Sequence, residues 1–175
     1  MPLRTRNRLA GILLVLGILQ FVAVFFLVSA YSGYSANLTV SYILYKSVYA
    51  DISEGIVGFA VLLGTVAGRN RIGNSQYPLI GAALCAFLIS IFNLTYGILH
   101  VFITAAFAAF GISAILMFNK RGTFRIASLA LAGLSVSGWM LFAGGVGNGI
   151  AERVALFPLM IWVVLLGILL VRRSD

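Results

Sequence analysis

Residues 69–125 read RNRIGNSQYPLIGAALCAFLISIFNLTYGILHVFITAAFAAFGISAILMFNKRGTFR, and this stretch decides the fold. From Pro78 to Phe118 it is almost unbroken apolar sequence. As one helix it would run about 60 Å at roughly 1.5 Å per residue, twice the roughly 30 Å of bilayer hydrocarbon. It must fold back, and Asn93-Leu94-Thr95-Tyr96-Gly97 is the only turn-like cluster inside it. Both feet of that hairpin carry base, Arg69 and Arg71 on one side and Lys120, Arg121 and Arg125 on the other, while its tip carries none.

The same alternation continues outward along the chain. Arg4, Arg6 and Arg8 precede the first apolar run, Lys46 stands alone after it, Arg153 stands alone before the last run, and Arg172 and Arg173 follow it. Ten of the twelve Lys and Arg residues therefore fall on one side of six apolar segments. The positive-inside rule reads this as an all-α integral membrane protein, a compact bundle of six transmembrane helices with both termini cytoplasmic. The expected spans are 9–30, 52–68, 77–92, 96–118, 124–142 and 154–171, in one domain covering 1–175 and placed in the cell membrane. Six of the seven tyrosines (Tyr31, Tyr34, Tyr42, Tyr45, Tyr49, Tyr96) fall on the predicted outer side, where amphipathic rings favour the headgroup boundary.

Composition agrees: 62% of residues are hydrophobic and 9% charged, against about 25% charged in soluble domains. The basic start and the small residues Val28-Ser29-Ala30 also resemble a cleaved leader, but the apolar run exceeds the usual 7–15 residues of one and favours a retained span. The net charge of +8 resides in short loops and tails, with no basic helix and no interleaving of aromatic and basic residues. That distribution predicts contact with anionic lipid, and no nucleic-acid partner. The longest predicted loop, 31–51, is too short for a core of its own, though Tyr42, Tyr45 and Tyr49 have the spacing of a short helix lying in the outer interface.

Small residues four apart mark helix-packing faces: Ala60, Gly64 and Gly68 on the second span, Gly133 and Ser137 on the fifth, with Gly81 and Cys85, and Ala105 and Ala109, repeating the pattern. The partner helix can belong to this chain or to another. Cys85, the one cysteine, reads as a small packing residue.

The ionisable residues within reach of the membrane are few. Asp51 and Glu54 open the second span, His100 lies about one turn into the fourth, and Glu152 and Arg153 open the sixth, all toward the outer end. Charge near hydrocarbon is costly unless it is paired or used, so His100, Glu152 and Glu54 are candidate catalytic residues, with Arg153, Asp51 and Tyr34 as candidate ligand- or anion-binding residues. A structural role competes: carboxylates at helix N-termini suit the dipole, and Arg153 can pair with one of them. A haem held by paired histidines cannot be built from one His, no metal site is expected, and the chain alone is expected to bind no cofactor. Gly144-Gly145-Val146-Gly147-Asn148-Gly149 lacks the Lys-Ser/Thr of a phosphate loop and reads as a tight turn. Asn37 and Asn93 open Asn-X-Thr sequons on the predicted outer side, which makes both candidate glycosylation sites.

Tyr31-Ser32-Gly33-Tyr34-Ser35, Ile98-Leu99-His100, and Glu152-Arg153 followed by Phe157-Pro158 and Trp162 together resemble a six-span prokaryotic, mainly archaeal family, domain of unknown function 998. Its members show a Pro-Gly-Tyr-Ser loop, an Ile/Pro-His element and a Glu-Arg, Tyr-Pro, Trp series. The resemblance covers nearly the whole chain and implies the same topology and outer-face polarity. Two acidic positions differ: the family's Ile-Ser-Asp-Leu-Gly corresponds to Val40-Ser41-Tyr42-Ile43-Leu44, and its Phe-Pro-Glu to Phe92-Asn93-Leu94. These features predict a non-catalytic accessory or structural subunit of a larger membrane complex, of a respiratory or energy-transducing kind, with other membrane subunits as partners. The alternative is an outer-facing lipid or small-molecule site, or a hydrolase, built on the His/Glu/Arg cluster.

Overall fold

The computed structural model describes residues 2–31, 40, 42, 47–118 and 122–172. Among these, six long helices carry the architecture: α1 (Leu3–Tyr31), α2 (Val48–Ile72), α3 (Gln76–Ile91), α4 (Ile98–Met117), α5 (Thr123–Ala143) and α6 (Asn148–Arg172). No strand occurs among the described residues. Helix is what such sequences must form, since an apolar solvent leaves backbone N–H and C=O groups only one another as partners.

Five helical stretches are long and apolar enough to cross a membrane, with Val48–Ile91 counting as one. That stretch is not straight. Gly73, at φ 67°, ends α2 by donating its N–H to the Arg69 carbonyl, and one 3-10 turn, Gly73–Ser75, leads into α3. The two arms then run antiparallel, with Gly55 against Ser90 and Gly58 against Phe87 and Ala83. At 16 residues α3 spans about 24 Å, which is why it does not qualify as a span by itself. The second reversal falls where the sequence placed it: Asn93 leads a 3-10 turn, Leu94–Tyr96, and Gly97 opens α4. The glycine run likewise forms the α5–α6 turn, Gly145 and Gly147 both having positive φ. Most of the predicted interfacial helix around Tyr42, Tyr45 and Tyr49 lies outside the described residues; Tyr49 itself belongs to the first turn of α2.

Packing follows the order α5, α6, α1, α2, α3, α4, and the ring is thin where α4 meets α5 and α6. Backbone-close contacts join the neighbours. A Cβ on Gly11 would lie 2.4 Å from the Gly167 carbonyl oxygen, and one on Gly138 would lie 2.3 Å from the Ala155 nitrogen. The predicted α2 stripe works inside the chain, Gly64 against Leu14 and Ala10, Gly68 against Leu170 and Ala10, and Ala60 against Gly17. On α5 the inward face is Ser128, Ala132, Ser135 and Gly138, while Gly133 and Ser137 face outward, with open space around Gly133.

Large apolar side chains cover the outside, Phe102, Ile126 and Met140 among them, while Thr65, Ser75, Ser128 and Ser135 are buried. This is the arrangement of a protein whose solvent is hydrocarbon, where apolar exposure is free and polar groups must find partners inside. Thr65 and Ser128 satisfy their hydroxyls on the carbonyls four residues back, Val61 and Phe124. At one end of α4 the Arg125 guanidinium donates to the carbonyls of Leu116 (2.9 Å) and Phe118 (3.1 Å), with Ile115 at 3.4 Å. One basic side chain thus supplies donors that the terminal carbonyls of a helix lack.

Candidate functional site

Helix register sorts the charges. Ala10, Gly68 and Leu170 lie at one level, so Arg4, Arg6, Arg8, Arg69, Arg71 and Arg172 gather beyond it, at the same end as Arg125. Asp51, Glu54 and Glu152 belong to the opposite end, together with Asn93, His100 and Arg153. The bundle therefore has a basic end and an acidic end.

Between α4, α3 and the α6–α1–α2 wall lies a cavity of about 100 Å³. Glu54 of α2 and Glu152 of α6 line it toward the acidic end, Thr104 of α4 lines it further in, and Leu79, Gly111 and Trp162 lie deepest. The walls are otherwise apolar, with Phe21 and Phe107 as aromatic faces. Small residues make the space: Ala82, Ala83 and Ala86 on α3, Gly58 on α2 and Gly111 on α4 present little side chain to it.

Glu152 is almost fully buried, and its Oε2 accepts a hydrogen bond from the Val40 N–H, which holds Val40 at the start of α6. Glu54 differs. It is half-buried, makes no hydrogen bond among the described residues, and lies within electrostatic range of Asp51 and Glu152. Thr104 Oγ1 is fully buried without a partner among the described residues. Trp162 has its N–H satisfied by Ser128 Oγ at 3.0 Å and sits edge-on to Phe118, so its ring is fixed.

The sequence candidates consequently divide. Glu54 and Glu152 meet at the cavity. Asp51 turns to the α3–α4 hairpin, where Asn93 Nδ2 donates to its Oδ2 at 3.4 Å. Asn93 also accepts from Thr95 through its N–H at 3.2 Å and its hydroxyl at 2.6 Å, so the side chain shapes the turn. His100 is buried with Nδ1 3.0 Å from the Phe92 carbonyl oxygen. Nδ1 is therefore the protonated nitrogen, and the ring staples the end of α3 to the start of α4. Arg153 is half-buried, has contacts of its own and does not line the cavity. Tyr34 and Asn37 lie outside the described residues. Among the described residues no group of three or more His, Cys, Asp or Glu side chains is placed to share a metal ion.

Thr104 escaped the sequence reading, although a hydroxyl in the apolar run of α4, which has one other at Ser113, was a visible signal. Trp162 entered that reading only through the family pattern. No family model, curated protein or solved structure matches the chain.

Proposed function

We propose that this chain is a six-span protein of the cell membrane, both termini cytoplasmic, whose bundle holds a small apolar ligand at its outer half. The observation that carries the reading is the apolar cavity with Glu54, Glu152 and Thr104 in its walls. A concave apolar space with a few converging polar groups is the general form of a small-molecule site. The orientation rests on the basic end, which positive-inside statistics assign to the cytoplasm. Binding is favoured over hydrolysis because His100 is committed to the Phe92 carbonyl and lies off the cavity, so the acid/base pair of a hydrolase is not assembled. Kinship with the domain of unknown function 998 family belongs to the same proposal and is supported by the Glu152-Arg153, Pro158, Trp162 series, two members of which line the cavity.

A second reading, the accessory subunit, has its own observation. Gly133 and Ser137 on α5, with Ala105 and Ala109 on α4, present small exposed faces that this chain does not fill. Small outward residues are where a foreign helix approaches closely in a bilayer.

One purification tests both. The tagged chain, extracted in gentle detergent, is to be assayed for retained small molecules and for stoichiometric protein partners. A small molecule present with wild type and absent with Ala86→Phe, which fills the cavity, supports the ligand site. Stoichiometric subunits together with an empty cavity replace it by the second reading. Single cysteines at Asn74 and Val146 test the topology; labelling of both from the same side of the membrane refutes it.

A further inference from the structure

We infer that the ligand is a small lipophilic amine, its ammonium group paired with Glu54 and within reach of the Thr104 hydroxyl, its apolar body lodged among Phe21, Phe107 and Trp162. The inference rests on the cavity being a ligand site, as proposed above.

Register places the two polar groups close in depth. Phe110 of α4 faces Gly81 of α3, so Thr104, six residues earlier, is level with Phe87, which faces Gly58, one turn beyond Glu54. A cation held by the carboxylate therefore finds, about one helical turn further in, an oxygen with no partner among the described residues.

Charge selects the sign of the ligand. A carboxylate that, like Glu54, has no hydrogen bond among the described residues and stands in apolar walls is costly and calls for a counter-charge or a proton. The acidic groups nearest to Glu54, Asp51 and Glu152, carry its own sign, and Glu152 already accepts the Val40 N–H. Arg153, the cation at this end among the described residues, does not line the cavity. A carboxylate, phosphate or sulfate ligand would meet repulsion from these groups. Size selects the body: about 100 Å³ is about two-thirds of the roughly 150 Å³ that accepts benzene in an engineered apolar cavity, so a short branched chain fits where a whole aromatic ring does not.

The test titrates the full chain in detergent with isobutylamine, isobutanol and isobutyrate, following tryptophan fluorescence and thermal unfolding. Wild type is expected to bind isobutylamine at least about tenfold more tightly than isobutanol, and isobutyrate not at all. Glu54→Gln is expected to bring the amine down to the level of the alcohol and leave the alcohol unchanged. Equal affinity for amine and alcohol, or tight amine binding that survives Glu54→Gln, overturns the amine inference and leaves the cavity as a site for neutral ligands, with Glu54 protonated. Binding of none of the three removes the cavity reading along with it. Should Glu54→Gln fail to fold, Thr104→Val carries the test: it is expected to weaken the amine about threefold or more, and an unchanged amine affinity refutes the inference.

Discussion

Replacing Gly138 by alanine adds one methyl group at the tightest helix crossing in the bundle. That carbon would lie 2.3 Å from the Ala155 nitrogen, 2.6 Å from the Val154 carbonyl carbon and 2.7 Å from Ala155 Cα. Non-bonded heavy atoms settle at about 3.5–4.0 Å, so α5 and α6 must separate by roughly 1 Å. All three atoms are backbone, and no rotamer change can relieve them. The separation also strains the bond from Ser135 Oγ to the Ala155 carbonyl, now 2.6 Å. Overpacking costs typically about 1–3 kcal/mol and a weakened hydrogen bond about 1 kcal/mol, giving a loss of about 2–4 kcal/mol. Gly133→Ala is the matched control: five residues away on the same helix, its Cβ meets nothing within 4 Å. It should be neutral, or more stable by up to about 1 kcal/mol from helix propensity. Reversible unfolding in mixed micelles, followed by tryptophan fluorescence, measures both. Equal stabilities for the two variants, or a weaker Gly133→Ala protein in pure monomeric form, would refute the α5–α6 packing described above.

Glu152→Ala strands the buried Val40 N–H and is expected to lose about 1–3 kcal/mol, while Glu152→Gln keeps an acceptor and most of that stability; thermal melts of the pair check this, and similar losses refute the contact. Arg125→Ala removes the donors at the end of α4 and is expected to lose about 1–2 kcal/mol and to speed proteolysis near Phe118. Trp162→Phe abolishes the bond to Ser128 and should cost about 1 kcal/mol beyond the packing change; Ser128→Ala combined with it should add little in a double-mutant cycle, and full additivity would refute the pairing. His100→Asn should retain more stability than His100→Ala, since an amide can still donate to Phe92, and equality of the two refutes the staple.

Turns and charges were legible from sequence because their signals are local. Asn93 to Gly97 and the glycines at 144–149 reverse the chain where their residue types said they would, and base sorted to one end as its spacing implied. Helix facing was not legible. In a bilayer both sides of a span are largely apolar, so α5 offers Gly133 and Ser137 as readily as Ser135 and Gly138, and only the neighbouring backbone chooses. The cavity was hidden for a similar reason. Its space arises where alanines of α3 face glycines of α2 and α4, residues remote in sequence whose small volumes become a void only when three helices meet. Among the ionisable candidates, burial was foreseeable but partnership was not: Glu54 and His100 both begin spans, yet one faces open space and the other a carbonyl.

The separation of basic and acidic ends has an electrical consequence. Glu54 lies six residues into α2, about 9 Å along an axis of roughly 37 Å. In the proposed orientation, a cation arriving at Glu54 from outside would traverse only about a quarter of the membrane field. At roughly 2.3 kcal/mol per charge per 100 mV, that adds about half a kcal/mol to binding, whereas a cation leaving outward from the cavity floor near Trp162 would work against far more. Occupancy from the outer side should thus respond to membrane voltage weakly, and the depth at which a ligand's charge rests could be measured as an electrical distance.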